Sequence, residues 1–146
     1  MNEKTKLVAA LPSGFEDRWD KKLLLKKKLL KVIEKNFIKF GAEALETPSF
    51  EISENIGSFI AEDDSNPMSN VFVFQDGDKS ITLRYDLSSP LARFVAQNNK
   101  ELQSIYKRYA IQNVFRNEKA GNGRYREFMQ ADFDIIGNVD LSLIHI

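Results

Sequence analysis

Arg116, Glu118, Arg124, Phe128, Gln130 and Asp134 combine side chains that bind opposite charges within a short stretch of sequence. Guanidinium groups grip phosphate oxygens through paired hydrogen bonds. Carboxylates and amides hold an ammonium group, and an aromatic ring between the two can stack on a flat base. Residues 124–136 read as a strand, in which successive side chains point to opposite faces. The even positions are Arg124, Arg126, Phe128, Gln130, Asp132 and Asp134. The odd positions, Tyr125, Glu127, Met129, Ala131, Phe133 and Ile135, suit a packed core apart from Glu127. The even face therefore has arginines at one end and acids at the other, a gradient suited to a zwitterionic or mixed-charge ligand. A solvated sheet face is the plainer alternative; the gradient shifts the reading toward a ligand site. Arg116 and Glu118 share parity on the preceding segment, so both are expected on one side. A second polar group, Arg84-Tyr85-Asp86-Leu87-Ser88, lies where a strand gives way to a helix, a common place for ligand contacts. Without its neighbours, Asp86 reads as a helix cap or a surface acid. The sequence has no phosphate-binding glycine loop of the P-loop or dinucleotide type. A nucleotide here must lie on a sheet between arginine clamps.

These side chains need elements to position them. Residues 106–116 and 124–136 read as the two arms of a long antiparallel hairpin, joined by the polar, glycine-containing segment 117–123. Residues 71–75 and 80–84 flank Asp76-Gly77-Asp78-Lys79, a hairpin signal. Ser88 or Ser89 caps a helix that carries Pro90 in its first turn and runs to about residue 98. Residues 17–40 form a long helix, with Trp19, Leu23, Leu30, Ile33, Phe37 and Phe40 as an apolar stripe and Gly41 as its stop. Lys26, Lys27, Lys28 and Lys31 read as its solvated face rather than as a nucleic-acid patch. Residues 42–47 read as a short strand halted by Pro48, 50–60 as a shorter helix and 61–70 as a polar loop. The expected fold class is α+β: an antiparallel sheet flanked by helices, not a doubly wound parallel sheet.

Bulk properties set limits. The chain has 146 residues, enough for one domain with a real core. It is 42% hydrophobic and 11% aromatic, a globular composition. Lys+Arg and Asp+Glu are 21 each, so any nucleic-acid contact must be local. Cysteine is absent, which excludes disulfides, thiolate metal sites and a cysteine nucleophile. With a single histidine, His145, no histidine triad or zinc site is expected within the chain. No apolar run reaches membrane-spanning length and the first ten residues lack a secretory pattern, so a cytoplasmic protein with no membrane partner is expected.

Three segments carry a family resemblance. Val114-Phe115-Arg116-Asn117-Glu118, followed by Gly123-Arg124-Tyr125-Arg126-Glu127-Phe128-Met129-Gln130, resembles motif 2 of the histidyl-tRNA synthetases, and 131–137 continues the likeness. Residues 83–93 resemble that family's amino-acid-binding segment, with Ser88 where the family often has threonine. Leu45-Glu46-Thr47-Pro48 resembles motif 1, whose proline lies at the dimer interface. Three such segments in order are far more specific than one. Their wording is similar to the eukaryote-like and alphaproteobacterial branch.

The resemblance implies a class II synthetase catalytic core, here incomplete: residues 1–137 as part of the catalytic domain, and 138–146 as an end that does not match the family. The implied activity is a histidine-tRNA ligase that uses ATP with Mg2+ and histidine to charge tRNA(His), as a homodimer at full length. Arg116 would clamp the α-phosphate and the histidine carboxylate. Glu118 would meet the adenine amino group, Phe128 would stack on adenine, and Arg124 would reach the outer phosphates. Gln130 and Asp134 would hold histidine, with Asp86 and Ser88 on its α-ammonium; no residue is assigned to a metal. Members of the family are several hundred residues long, so a fragment inactive by itself is expected. One alternative is the catalytically silent paralogue that regulates ATP phosphoribosyltransferase in histidine biosynthesis; retention of Arg116, Glu118, Arg124 and Phe128 argues for the synthetase. Another is a prolyl- or threonyl-type class II enzyme, against which Asp86, Ser88, Gln130 and Asp134 weigh. A third is a structural fragment with no activity of its own.

Overall fold

A computed structural model describes residues 9–56 and 70–138. Helix α1 spans Asp20–Lys39, and strands β1 and β2 span Glu43–Ala44 and Phe50–Ile52. A single turn, α2, covers Ser53–Ile56. The hairpin β3–β4 covers Val73–Asp76 and Lys79–Leu83, α3 covers Ser88–Asn98, and β5 and β6 cover Ile105–Phe115 and Glu127–Gly137. The strands form two sheets, ordered β1-β5-β6 and β2-β4-β3. All pairings are antiparallel except that of β1 with β5, which is short and parallel. The chain is thus α+β, as its hairpin signals imply.

Local sequence explains most boundaries. Helix α1 is built from leucine and lysine, both good helix formers. It ends at Gly41 (φ 76°), where Gly41 N–H donates to Ile38 O and Ala42 N–H to Phe37 O. This double closure needs the left-handed conformation that glycine adopts without a Cβ penalty. Between β3 and β4 a two-residue turn places Gly77 at φ 59°, the conformation that tight hairpins require. Helix α3 begins where Asp86 Oδ1 accepts a hydrogen bond from Ser89 N–H at 3.0 Å, so the cap is Asp86 rather than Ser88 or Ser89.

The expected helix over 50–60 is corrected. Phe50, Glu51 and Ile52 pair with Leu83, Thr82 and Ile81 as a strand, and among the described residues of this stretch helix covers Ser53–Ile56; 57–60, like 61–69 of the expected loop over 61–70, lies outside the described residues. Tertiary pairing decides this. Glu51 is buried, and Arg93 from α3 donates Nε to its Oε2 at 2.6 Å and Nη2 to its Oε1 at 2.8 Å. That bidentate pair fixes the alternating strand conformation and ties the small sheet to α3.

The two faces of the β5–β6 ribbon are covered differently. Phe37 of α1 packs against Tyr109 and Phe133, with Phe40 edge-on to Phe133. On the other face Leu87, Ala110 and Val114 form a buried cluster that Phe128 joins. The odd face is therefore not the sole core: part of the even face is packed too. Only one side of α1 is occupied. Trp19, Leu25, Leu29 and Val32 are exposed, and no residue of α1 is fully buried.

At the end of β6, Gly137 has φ 133°, and a Cβ there would lie 2.1 Å from Ser104 O. Gly137→Ala should cost about 2 kcal/mol or more through backbone strain and overlap. Gly121→Ala, which meets open space, is the control. Thermal melts check this; equal melting temperatures for the two variants would contradict it.

Candidate functional site

The site is built on β5, β6 and the turn between β4 and α3. Eleven residue pairs run in unbroken register from Ile105↔Gly137 to Phe115↔Glu127. The ribbon continues past the strands: Arg116 N–H donates to Arg126 O at 2.9 Å. It closes in a turn around 121–124, where Gly121 and Arg124 pair as an isolated bridge. Arg124 thus sits in the turn and not on a regular strand, so strand parity is not what places it. It nevertheless faces the same space.

A cleft of about 330 Å3 opens there, lined by Arg116, Glu118, Arg124 and Phe128, together with Lys119, Ala120, Gly123, Tyr125 and Arg126. Four of these side chains are cationic and one is a carboxylate, so the cleft attracts an anion. The Arg116 guanidinium lies between two rings, 4.4 Å from the Tyr85 centroid and 5.1 Å from that of Phe128. Such stacking holds the planar group in place while leaving its edge for oxygens. Tyr85 Oη donates to Glu118 Oε1 at 3.0 Å. Arg126 is held differently: it stacks over Phe72 and donates to Asn117 Oδ1, and its backbone N–H donates to Gly14 O. The lead-in segment is thereby fastened to the rim, and a side chain at Gly14 would collide with Arg126.

At the other end of the same face, Arg108 is wholly buried. Its Nη2 donates to Leu87 O at 2.9 Å and lies 2.8 Å from Asp134 Oδ2, an ion contact whose N–H alignment is not that of a hydrogen bond. Arg108 therefore joins Asp134 to the turn that carries Asp86 and Ser88. Burial raises the Asp132 carboxyl pKa, the Arg108 charge opposes this, and Asp134 and Asp86 add to the rise. Asp86, Asp132 and Asp134 are thus electrostatic neighbours on one side of the sheet. Gln130 lies between Phe128 and Asp132 on that face, and its Oε1 is buried with no protein partner among the described residues.

Asp86 and Ser88 line a groove of about 580 Å3 along α3, with Asn55, Ala92, Arg93 and Gln97; Gln130 and Asp134 are not among its walls. The link between the two pairs runs through Arg108. Two buried arginines were not legible as such in the sequence. Arg84 donates Nε to Asn113 O at 2.6 Å and Nη1 to Thr47 O at 2.7 Å, and its own backbone bonds Ser49 and Phe115. It locks the segment before Pro48 to β5. The only advance signal for Arg84 and Arg108 was a charge amid strand residues. Among the described residues no group of three acids or histidines could hold a metal, and no helix is long and apolar enough to cross a membrane.

A family model described as histidyl-tRNA synthetase matches residues 14–143. A histidine–tRNA ligase of Pelagibacter ubique is 73% identical over 140 residues, covering 96% of this chain and 30% of that protein. One from Methylocella silvestris is 45% identical over 130 residues, covering 88% of this chain and 26% of that protein. The solved histidyl-tRNA synthetase of Nostoc sp. PCC 7120 superposes with a TM-score of 0.77 at 28% identity, over 94% of this chain and 31% of that one. An ATP phosphoribosyltransferase regulatory subunit/histidyl-tRNA synthetase from Bacillus halodurans gives 0.81 at 24% identity, over 97% of this chain and 36% of that one, and speaks to the fold alone. The sequence matches and the superposition are together those of the aminoacyl-tRNA synthetases. The chain belongs to the histidyl-tRNA synthetase family. It spans about 30% of the length of the first of these relatives.

The raised Asp132 carboxyl gives a stability prediction. Unfolded, it titrates near 3.8; folded, it holds its proton to higher pH. Stability from this group is therefore present at low pH and lost as pH rises through the folded value. Asp132→Asn should melt higher than the parent at pH 7.5, with the difference vanishing near pH 3.5. A variant that melts lower at pH 7.5 would contradict the assignment.

Proposed function

We propose that the protein acts as a histidine–tRNA ligase of class II, activating histidine with ATP to histidyl-adenylate and passing it to tRNA(His). The observation that carries this reading is the cleft whose walls include Arg116, Glu118, Arg124 and Phe128, the four residues expected to hold ATP. In the first step a histidine carboxylate oxygen bonds the α-phosphorus, the bond from that phosphorus to the bridging oxygen breaks, and pyrophosphate leaves. The carboxylate is already ionised at neutral pH, so no general base is needed. The barrier is the approach of two anions, which positioned cations lower by orientation and by stabilising charge on phosphorus. Arg116, stacked in place, clamps the α-phosphate and the carboxylate, and Arg124 on the turn reaches the outer phosphates. Phe128 stacks on adenine and Glu118 accepts from its amino group. At the acidic end Asp134 and Gln130 bind histidine, with Asp86 and Ser88 toward its ammonium. A magnesium ion bound with ATP would supply charge neutralisation at the phosphates, which would be its main ligands, since no group of three acids or histidines among the described residues could hold it.

The homodimer and the cellular setting belong to the same reading. Exposed Pro48, Phe50 and the outer stripe of α1 offer apolar surface for a second subunit, and we place the protein in the cytoplasm. We read residues 1–137 as part of the catalytic domain, carrying motifs 1 and 2. The regulatory-paralogue reading is weaker because a protein that does not turn over ATP has no need of the arginine-lined cleft.

Activity is tested by histidine-dependent ATP–pyrophosphate exchange, in a protein of the relatives' full length that carries this sequence. Asp134→Asn keeps a partner for buried Arg108 and removes the charge. It should raise the KM for histidine about 10- to 100-fold, the worth of a charge-assisted hydrogen bond, and leave that for ATP nearly unchanged. Arg124→Ala should do the reverse. Equal losses for both substrates in both variants would contradict the two-ended site.

A further inference from the structure

We propose that Tyr85 is a positioning residue that sets how selectively the cleft reads the base of its nucleotide. The inference rests on the reading of the cleft as an ATP site. Tyr85 touches two members of that site at once. Its ring lies under the Arg116 guanidinium at 4.4 Å, and its hydroxyl donates to Glu118 Oε1 at 3.0 Å. Among the described residues Arg116 has one other ring beside it, Phe128 at 5.1 Å. Arg116 Nε is buried with no protein partner among the described residues, and Glu118 lies on an irregular segment beyond the end of β5.

Tyr85 can serve as a support because its neighbours on both sides are fixed. Arg84 is buried; its N–H donates to Ser49 O and its carbonyl accepts from Phe115 N–H. Asp86 caps α3, and Leu87 is buried with its carbonyl accepting from Arg108. The ring therefore has little freedom to leave the place where it meets Arg116. A hydroxyl donating to one carboxylate oxygen orients the carboxylate, so the other oxygen is held ready to accept from an amino group on a base. Preorganised acceptors discriminate better than mobile ones, because a ligand lacking the donor leaves them desolvated and unpaired. The same turn carries Asp86 and Ser88, so Tyr85 also connects the nucleotide end of the site to its acidic end.

The test compares Tyr85→Phe, which removes one hydroxyl, and Tyr85→Leu, which also removes the ring, with the unmodified full-length protein in histidine-dependent pyrophosphate exchange. ATP is set against purine riboside triphosphate, which lacks the exocyclic amino group. Tyr85→Phe should raise the KM for ATP about 3- to 10-fold, the worth of an ordinary hydrogen bond because the hydroxyl acts on the base only through Glu118, and leave the melting temperature and the KM for histidine unchanged. Its preference for ATP over the amine-free analogue should narrow by a similar factor. Tyr85→Leu should lower kcat as well, because Arg116 loses its platform. An active parent with an unchanged ATP KM and base preference in Tyr85→Phe overturns the proposal. So does a parallel loss in both KM values with a lowered melting temperature, the mark of a merely structural role. A parent that shows no histidine-dependent exchange strikes instead at the functional reading.

Discussion

The register of β5 against β6 is the constraint on which the rest depends. Eleven pairs without a bulge decide which side chains share a face. A slip of one residue would send every side chain of β6 to the opposite face. In the observed register Val114 meets Phe128, Gln112 meets Gln130 and Arg108 meets Asp134. The aromatic floor of the cleft, the amide and the acid are thereby strung along one line. The opposite face takes α1 through Phe37, Tyr109 and Phe133. One sheet thus spends one face on helix packing and the other on a site that is itself partly core, since Phe128 packs against Leu87, Ala110 and Val114.

Two buried arginines complete the frame, and they do so through carbonyl oxygens as much as through carboxylates. Arg84 reaches Asn113, Thr47 and Pro48; Arg108 reaches Leu87 and Asp134. A buried guanidinium is costly unless its donors are satisfied; Arg84 meets three carbonyls, whereas Arg108 is held by Leu87 O and Asp134 through Nη2 alone, its Nε and Nη1 having no protein partner among the described residues. The result is that the segment before Pro48, the β4–α3 turn and the ribbon meet at set distances. The charge pattern follows from the same frame: cations on the turn-side rim, and Asp86, Asp132 and Asp134 near Arg108 at the far end. Opposite ends of opposite sign suit the joining of a phosphate to a carboxylate whose owner also bears an ammonium.

What the sequence discloses and what it hides divide along the range of the interaction. Hairpins, α1 with its glycine stop, and α3 with Pro90 in its first turn are local, and local residue types suffice to read them. The even-face alternation from Phe128 to Asp134 is equally local and was legible. Burial of Arg84 and Arg108 depends on carbonyls that no window of sequence contains. Glu51 looked like part of a helix because Arg93, forty-two positions away, is what holds it in a strand. Strand parity puts Arg124 on the even face, yet it lines the cleft because of a turn. Tyr85 went without a role because its two partners come from another strand and from the loop beyond it. Asp86, read in isolation as a helix cap, does cap α3.

On the proposed reading one sheet face binds both substrates, the nucleotide over Phe128 and the amino acid toward Asp134. A crystal structure of the full-length protein with ATP and a non-reactive histidine analogue, histidinol, tests it most directly. Adenine is expected on the Phe128 ring with its amino group at Glu118, phosphates against Arg116 and Arg124, and the analogue's ammonium among Asp86, Gln130 and Asp134. Adenine bound away from Phe128, or histidinol on the α1 side of the sheet, would contradict it.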